Sequence, residues 1–197
     1  MSTISSQEAT KEVFKSGFVT LIGRPSAGKS SLLNALMGKK LAISSPTAQT
    51  TRHRFRAVHT TDSHQIIIVD TPGVHKPHDT LGEELNTTAL KSLEGIDVAA
   101  FVLDASAPFG TGDEWVISQL AQCSMPKLLV LSKIDLVTQE ELELQRQRAL
   151  EAGQWDGVVA LSSVTGEQID TFIGNMVAMG IGKSEILELF KARIEEM

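Results

Sequence analysis

The segment Gly23-Arg24-Pro25-Ser26-Ala27-Gly28-Lys29-Ser30 sets two glycines around four residues and closes on a lysine and a hydroxyl. A turn of this composition can aim several backbone N–H groups at one anion, because glycine reaches the φ/ψ values required without strain. A helix that starts at the second glycine adds its orphan N–H groups and the positive end of its dipole. In the pattern G-x-x-x-x-G-K-[ST], the lysine (Lys29) reaches the terminal phosphates of a polyphosphate and the hydroxyl (Ser30) ligates Mg2+. Gly23, Ser26, Ala27, Gly28, Lys29, Ser30 and Ser31 are therefore the expected phosphate-binding residues. The plainer alternative, a glycine turn with a surface lysine, ranks behind because an apolar strand-like run precedes the motif and a helical pattern follows it.

Asp70-Thr71-Pro72-Gly73 closes the most hydrophobic run, QIIIVD. A carboxylate at the C-terminal end of such a strand lies on the edge where open α/β sheets bind ligands. Asp70 is expected to hold Mg2+ through water, since Mg2+ dehydrates reluctantly, and the Gly73 amide to meet a γ-phosphate. In Ala48-Gln49-Thr50-Thr51-Arg52, Thr51 is expected to offer its hydroxyl to Mg2+ and its amide to the γ-phosphate, ordering its loop only in the triphosphate state. Each of the two segments alone is an ordinary turn or polar loop; their order behind the phosphate motif gives them meaning.

Ser132-Lys133-Ile134-Asp135 follows the strand-like LLVLS. A carboxylate at Asp135 can accept two charge-assisted bonds from the ring N–H and exocyclic amine of guanine. Adenine lacks that donor pair and leaves the carboxylate unpaired, at about 1–3 kcal/mol. The Lys133 stem would lie over the base, and Ser162-Ser163 would offer backbone N–H groups to the guanine carbonyl.

Val- and Ile-rich runs at 18–22, 54–60, 65–70, 97–104, 127–132 and 157–161 predict strands. Segments of helical period at 29–37, 80–93, 113–121, 139–152, 169–178 and 184–196 predict helices. Their alternation implies crossover connections. The expected fold is α/β: a mostly parallel six-stranded sheet, helices on both faces, and one antiparallel edge strand from the tight connection at 61–64. The stretches 39–53 and 71–82 are too long to be plain connections in a compact domain and read as functional loops.

With 197 residues, 42% hydrophobic and 21% charged, the chain suits one packed domain. A net charge of −6 argues against non-specific binding to a phosphate backbone, so no DNA partner is expected. One cysteine, Cys123, excludes an intramolecular disulfide. The N-terminus lacks the apolar core of a signal peptide and the longest apolar runs are too short to span a bilayer, so a cytoplasmic protein is expected. The five histidines (53, 59, 64, 75, 78) show no zinc-ligand pattern and are expected in exposed loop or edge positions.

Taken in order, GRPSAGKS, AQTTR, DTPGVHKP, SKID and LSS resemble the motifs of Era-type GTPases, a translation-factor-class family, over residues 17–178. The resemblance implies a Ras-like P-loop fold, Mg2+-dependent hydrolysis of GTP to GDP, and a setting in small ribosomal subunit maturation with ribosomal RNA as partner. The expected division is an N-terminal tail (1–16), a GTP-binding domain (17–180) and, from the spacing of Ile186, Leu189, Phe190 and Ile194, an amphipathic helix (181–197). Family members bind RNA through a further KH domain; GIGK at 180–183 is not the clamp of that fold, so an isolated domain or a KH-less relative is expected. Two residues depart from the family pattern in the site: Ser26 and Ser132 stand where asparagine is usual. The potassium-stimulated hydrolysis associated with the first asparagine is thus not expected. The shorter Ser132 should replace part of the second, at a cost of about 0.5–1.5 kcal/mol.

Val74 occupies the place where Ras-type enzymes carry a water-positioning glutamine, so slow turnover is expected, resting on Mg2+, Lys29 and backbone amides. Arg52 and Arg54 are candidates for an arginine finger. The competing readings are a guanine-nucleotide-gated binding module without catalysis, and a P-loop ATPase, which Asp135 opposes.

Overall fold

The computed structural model describes residues 14–38, 41–42, 54–70, 93 and 95–181. Within them a seven-stranded sheet runs in the order β2-β3-β4-β1-β5-β6-β7. Its strands are β1 (Lys15–Ile22), β2 (Leu41–Ala42), β3 (Arg54–Thr60), β4 (His64–Asp70), β5 (Val98–Asp104), β6 (Lys127–Ser132) and β7 (Gly157–Ala160). Helices α1 (Lys29–Met37), α2 (Thr111–Leu120), α3 (Gln139–Ala152) and α4 (Ile169–Ala178) connect or follow them.

All six expected strands are present. β1 pairs in parallel with β4 and β5, and β5, β6 and β7 continue the parallel ladder. β3 and β4 form the expected antiparallel hairpin. The sheet runs one strand further than expected: the two-residue β2 pairs with β3, so β3 lies inside the edge. Two residues, Leu41 and Ala42, are too few to show a strand pattern, and the polar Lys15 and Ser16 hide the true start of β1, which begins at Lys15 rather than Phe18. The pairings Lys15↔His64 and Ser16↔Gln65, supplied by the neighbouring strand, extend it.

The continuous apolar runs arise because successive strand side chains face opposite layers. On β5, Val98, Ala100 and Val102 join the core beneath α1 and α4, with Leu32, Leu36, Phe172 and Met176. Ala99, Phe101 and Leu103 join the core beneath α2 and α3, with Val116, Ile117, Leu120 and Ala149. Burying each such aliphatic or aromatic side chain is worth about 1.5–3 kcal/mol, so the layers on both faces hold the central strands in place.

Helix α3 begins where sequence rules place it. Thr138 accepts the Glu141 N–H through its hydroxyl at 3.3 Å, and the Glu141 carboxylate returns to the Thr138 N–H at 2.8 Å. The anticipated helices at 80–93 and 184–196 fall, apart from Leu93, outside the described residues. No described helix is long and apolar enough to cross a membrane.

Two histidines correct the expected exposure. His59 lies on β3 between β2 and β4 and is 7% exposed, while His64 is half-buried with its ring 5.6 Å away. Burial holds the His64 imidazole below its ordinary titration range. Among the described residues no group of three or more His, Cys, Asp or Glu side chains is placed to hold a metal ion. Cys123 is half-buried, and desolvation raises its thiol despite the charge of Lys127, as fits an unactivated cysteine. His53, His75 and His78 lie outside the described residues.

Candidate nucleotide site

Parallel pairing brings the C-terminal ends of β1, β4, β5 and β6 to one edge of the sheet. Thr20 pairs with Val69, Ile22 with Phe101 and Asp104 with Ser132. The segment 23–28, Asp70, Asp104 and 132–135 therefore emerge side by side, where the strand order turns from β4 across β1 to β5.

The loop after β1 has the conformation its glycines predict. Gly23 (φ 150°) and Gly28 (φ 97°) both take positive φ. A Cβ on Gly23 would lie 2.2 Å from the Val102 carbonyl, so the loop starts flush against β5. Ser26 also takes a left-handed φ of 64°, a conformation that costs a serine energy. Gly28 caps α1, with the first helical bond from Leu32 N–H to Gly28 O at 2.8 Å. Among the described residues, the amides of Ser26, Gly28, Lys29 and Ser30 have no acceptor, which is the arrangement of an anion-binding nest at a helix N-terminus.

Lys29 folds back over this loop. Its ammonium donates to the carbonyls of Gly23 and Arg24, both at 2.6 Å. Burial lowers its pKa from the ordinary lysine value of 10.5. Two of its three N–H groups brace the loop and the third remains for a phosphate oxygen. Ser30 is exposed on the first turn of α1, and Ser31 follows it, also exposed.

On the base side, Ser132 is 1% exposed and its hydroxyl lies 2.6 Å from Ala27 O and 3.0 Å from Leu103 O. The part of the expected bracing that reaches the phosphate loop is thus made by the shorter serine. It is possible because the phosphate loop comes close: a Cβ on Gly28 would sit 3.3 Å from Ser132 Oγ. Lys133 adopts φ 60°, turning the chain into a short 3-10 helix (Ile134–Leu136) that leaves Asp135 exposed at the sheet edge.

The Lys133 ammonium is tied to Asp104 Oδ2 at 2.5 Å. Burial pushes the Asp104 carboxyl upward, but the Lys133 bond and two donors from Ser106 outweigh it and hold the pKa below the ordinary value. Asp104 was not singled out in the sequence, although the criterion that found Asp70, a carboxylate closing an apolar strand, applies equally to VAAFVLD.

Ser162 departs from its expected role. It is fully buried, its N–H donates to Glu167 O at 3.2 Å, and its hydroxyl accepts from Val164 and Thr165. It shapes the loop after β7 rather than offering an amide to a base. The Ser163 amide has no acceptor among the described residues. Asp70 ends β4 opposite Arg54. Thr51, Gly73, Arg52 and Val74 lie outside the described residues.

A family model described as "50S ribosome-binding GTPase" matches residues 18–133. The chain belongs to that GTPase family. Within it, the chain is similar to GTPase Era of Leuconostoc citreum, 41% identical over 170 residues, covering 85% of this chain and 56% of that protein. GTPase Era of Crocosphaera subtropica is 39% identical over 179 residues, with 90% and 57% covered. A crystal structure of Era in complex with MgGDPNP and nucleotides 1506–1542 of 16S ribosomal RNA superposes with a TM-score of 0.68 at 32% identity, covering 84% of this chain and 57% of that one. The chain thus spans a little over half the length of these relatives. The Era-type, Ras-like reading of the motifs agrees with all three.

Proposed function

We propose that this chain binds GTP and GDP and hydrolyses GTP to GDP and phosphate, with loops 39–53 and 71–82 switching between the two states. The observation that carries the reading is the set of acceptor-free amides at Ser26, Gly28, Lys29 and Ser30, closed from within by Lys29 and from the base side by Ser132. Such a nest, with a carboxylate at Asp135 along the same edge, is what a guanine nucleotide requires at its two ends.

The donor set fits Mg2+. Ser30 is exposed on the first turn of α1, and Asp70 closes β4 on the same sheet edge; both offer the hard oxygen ligands that Mg2+ prefers. Thr51 is proposed as a further ligand. Bound Mg2+ would neutralise charge on the phosphates. The chain's own contribution is to orient them: the nest amides and Lys29 stabilise negative charge as it develops on the transferred group, with the Gly73 amide proposed on the γ-phosphate. With Val74 in place of a water-positioning glutamine, turnover is slow.

Residues 17–180 are proposed as the GTP-binding domain and 181–197 as an appended amphipathic helix. The setting proposed is cytoplasmic, in small ribosomal subunit assembly. This follows the Era relatives, one of which was crystallised with a segment of 16S ribosomal RNA.

Calorimetry with GDP and with ADP in Mg2+ buffer tests the pocket and its base preference together. GDP binding without ADP binding is expected, and equal affinities would exclude the assignment of Asp135. Multiple-turnover phosphate release then separates enzyme from module: binding with no turnover would leave only the switch.

A further inference from the structure

Arg24 and Asp113 have no part in the phosphate, metal or base chemistry above, yet they form a tight contact across 89 residues of sequence. The Arg24 stem crosses Gly112, where a Cβ would lie 3.2 Å from its Cδ. Its Nη1 ends 2.7 Å from Asp113 Oδ2 and 3.4 Å from Pro108 O. The Asp113 side chain is 3% exposed and the Arg24 side chain 37%. The same Oδ2 accepts the Gly110 N–H at 3.0 Å, so one buried carboxylate both caps α2 and receives the guanidinium. Removing either partner of such a pair leaves the other charge without its compensation.

The loop needs an anchor at this point. Pro25 and Ser26 at its apex are exposed, and the Ser26 hydroxyl has no hydrogen-bond partner among the described residues. The exit is held by Ser132 on Ala27 O. At the entry, the side-chain tether running outward from the loop is Arg24. A binding site built from backbone dipoles depends on where those dipoles point.

We propose that Asp113 is a positioning residue for the phosphate loop, acting through Arg24 and coupling the start of α2 to nucleotide retention. The inference rests on the nucleotide reading above and deepens it. It is tested by stopped-flow release of a fluorescent GDP from wild type, Asp113→Asn, Arg24→Gln and the double variant. Asparagine keeps an acceptor for Gly110 N–H, so the α2 cap survives.

Each single variant is expected to release GDP about 3- to 30-fold faster, and the double variant no faster than the worse single, because the two residues act as one unit. Arg24→Lys should recover part of the loss, and the preference for GDP over ADP should stay unchanged. Unaltered GDP release in both singles, strict additivity in the double, or a lowered melting temperature with normal release would each overturn the proposal. A wild-type chain that does not bind GDP overturns the nucleotide reading itself; normal wild-type binding with unaffected variants overturns this coupling alone.

Discussion

The hydroxyl of Ser132 stands 2.6 Å from the carbonyl oxygen of Ala27, 105 residues earlier in the chain. This contact couples the base-side loop directly to the phosphate loop, so disturbing one should be felt in the other. Ser132→Ala removes the brace and leaves a buried carbonyl short of a donor. The expected loss is about 0.5–1.5 kcal/mol, or a two- to tenfold weaker GDP affinity. Titration calorimetry at constant Mg2+ measures it, and an unchanged affinity would show that the brace does nothing for binding.

Lys29 makes nucleotide binding pH-dependent. Its pKa lies below the ordinary 10.5 in the free protein because burial disfavours the ammonium. A phosphate beside it favours the ammonium and raises the value again. In the alkaline window between the two, binding must take up a proton, so GDP affinity falls as pH rises. Calorimetry in buffers of different ionisation enthalpy at alkaline pH should register this uptake. For the free protein the sign reverses: the unfolded chain holds that proton more tightly, so this group adds stability as pH rises through the window.

Asp104 is held below its ordinary pKa, with the Lys133 and Ser106 bonds overcoming desolvation. Its contribution is present above the unfolded carboxylate value and is lost as pH falls through the lower folded one. Lys133 is 32% exposed, so solvent screens the pair and Asp104→Asn should cost no more than about 1 kcal/mol at neutral pH. Urea titrations at neutral and strongly acidic pH should show the difference between wild type and variant vanish in acid.

Gly23→Ala combines two penalties. The new Cβ would meet the Val102 carbonyl at 2.2 Å, and φ 150° is unfavourable for any L side chain. A loss of about 1–3 kcal/mol from backbone strain alone is expected, read as a drop in melting temperature, together with weaker GDP binding. Gly180→Ala serves as control: it also has positive φ (112°), but open space surrounds its Cβ. It should lose stability without losing GDP affinity.

Asp135→Ala should abolish the preference for guanine while leaving the phosphate nest intact. Competition of GDP and ADP for the variant measures it; retained discrimination would move the base contact elsewhere.

Motif and periodicity were enough to locate the phosphate loop, the strand end at Asp70, the base motif at 132–135 and helices 29–37, 139–152 and 169–178. All of these are local: a glycine that must take positive φ, a capping threonine, an apolar run covered on both faces. What the local pattern could not carry were partners brought together by strand pairing. Ser132 finds Ala27, Lys133 finds Asp104 and Arg24 finds Asp113 because β1, β5 and β6 end side by side. Ser162 departs from its expected role for a local reason: its amide goes to Glu167 across a turn that no spacing rule marks. Residue type determined which groups can hold phosphate, metal or base. Which of them are already engaged with each other, and which amides stay free for a ligand, is decided by burial and hydrogen-bond geometry that exist only once the sheet has formed.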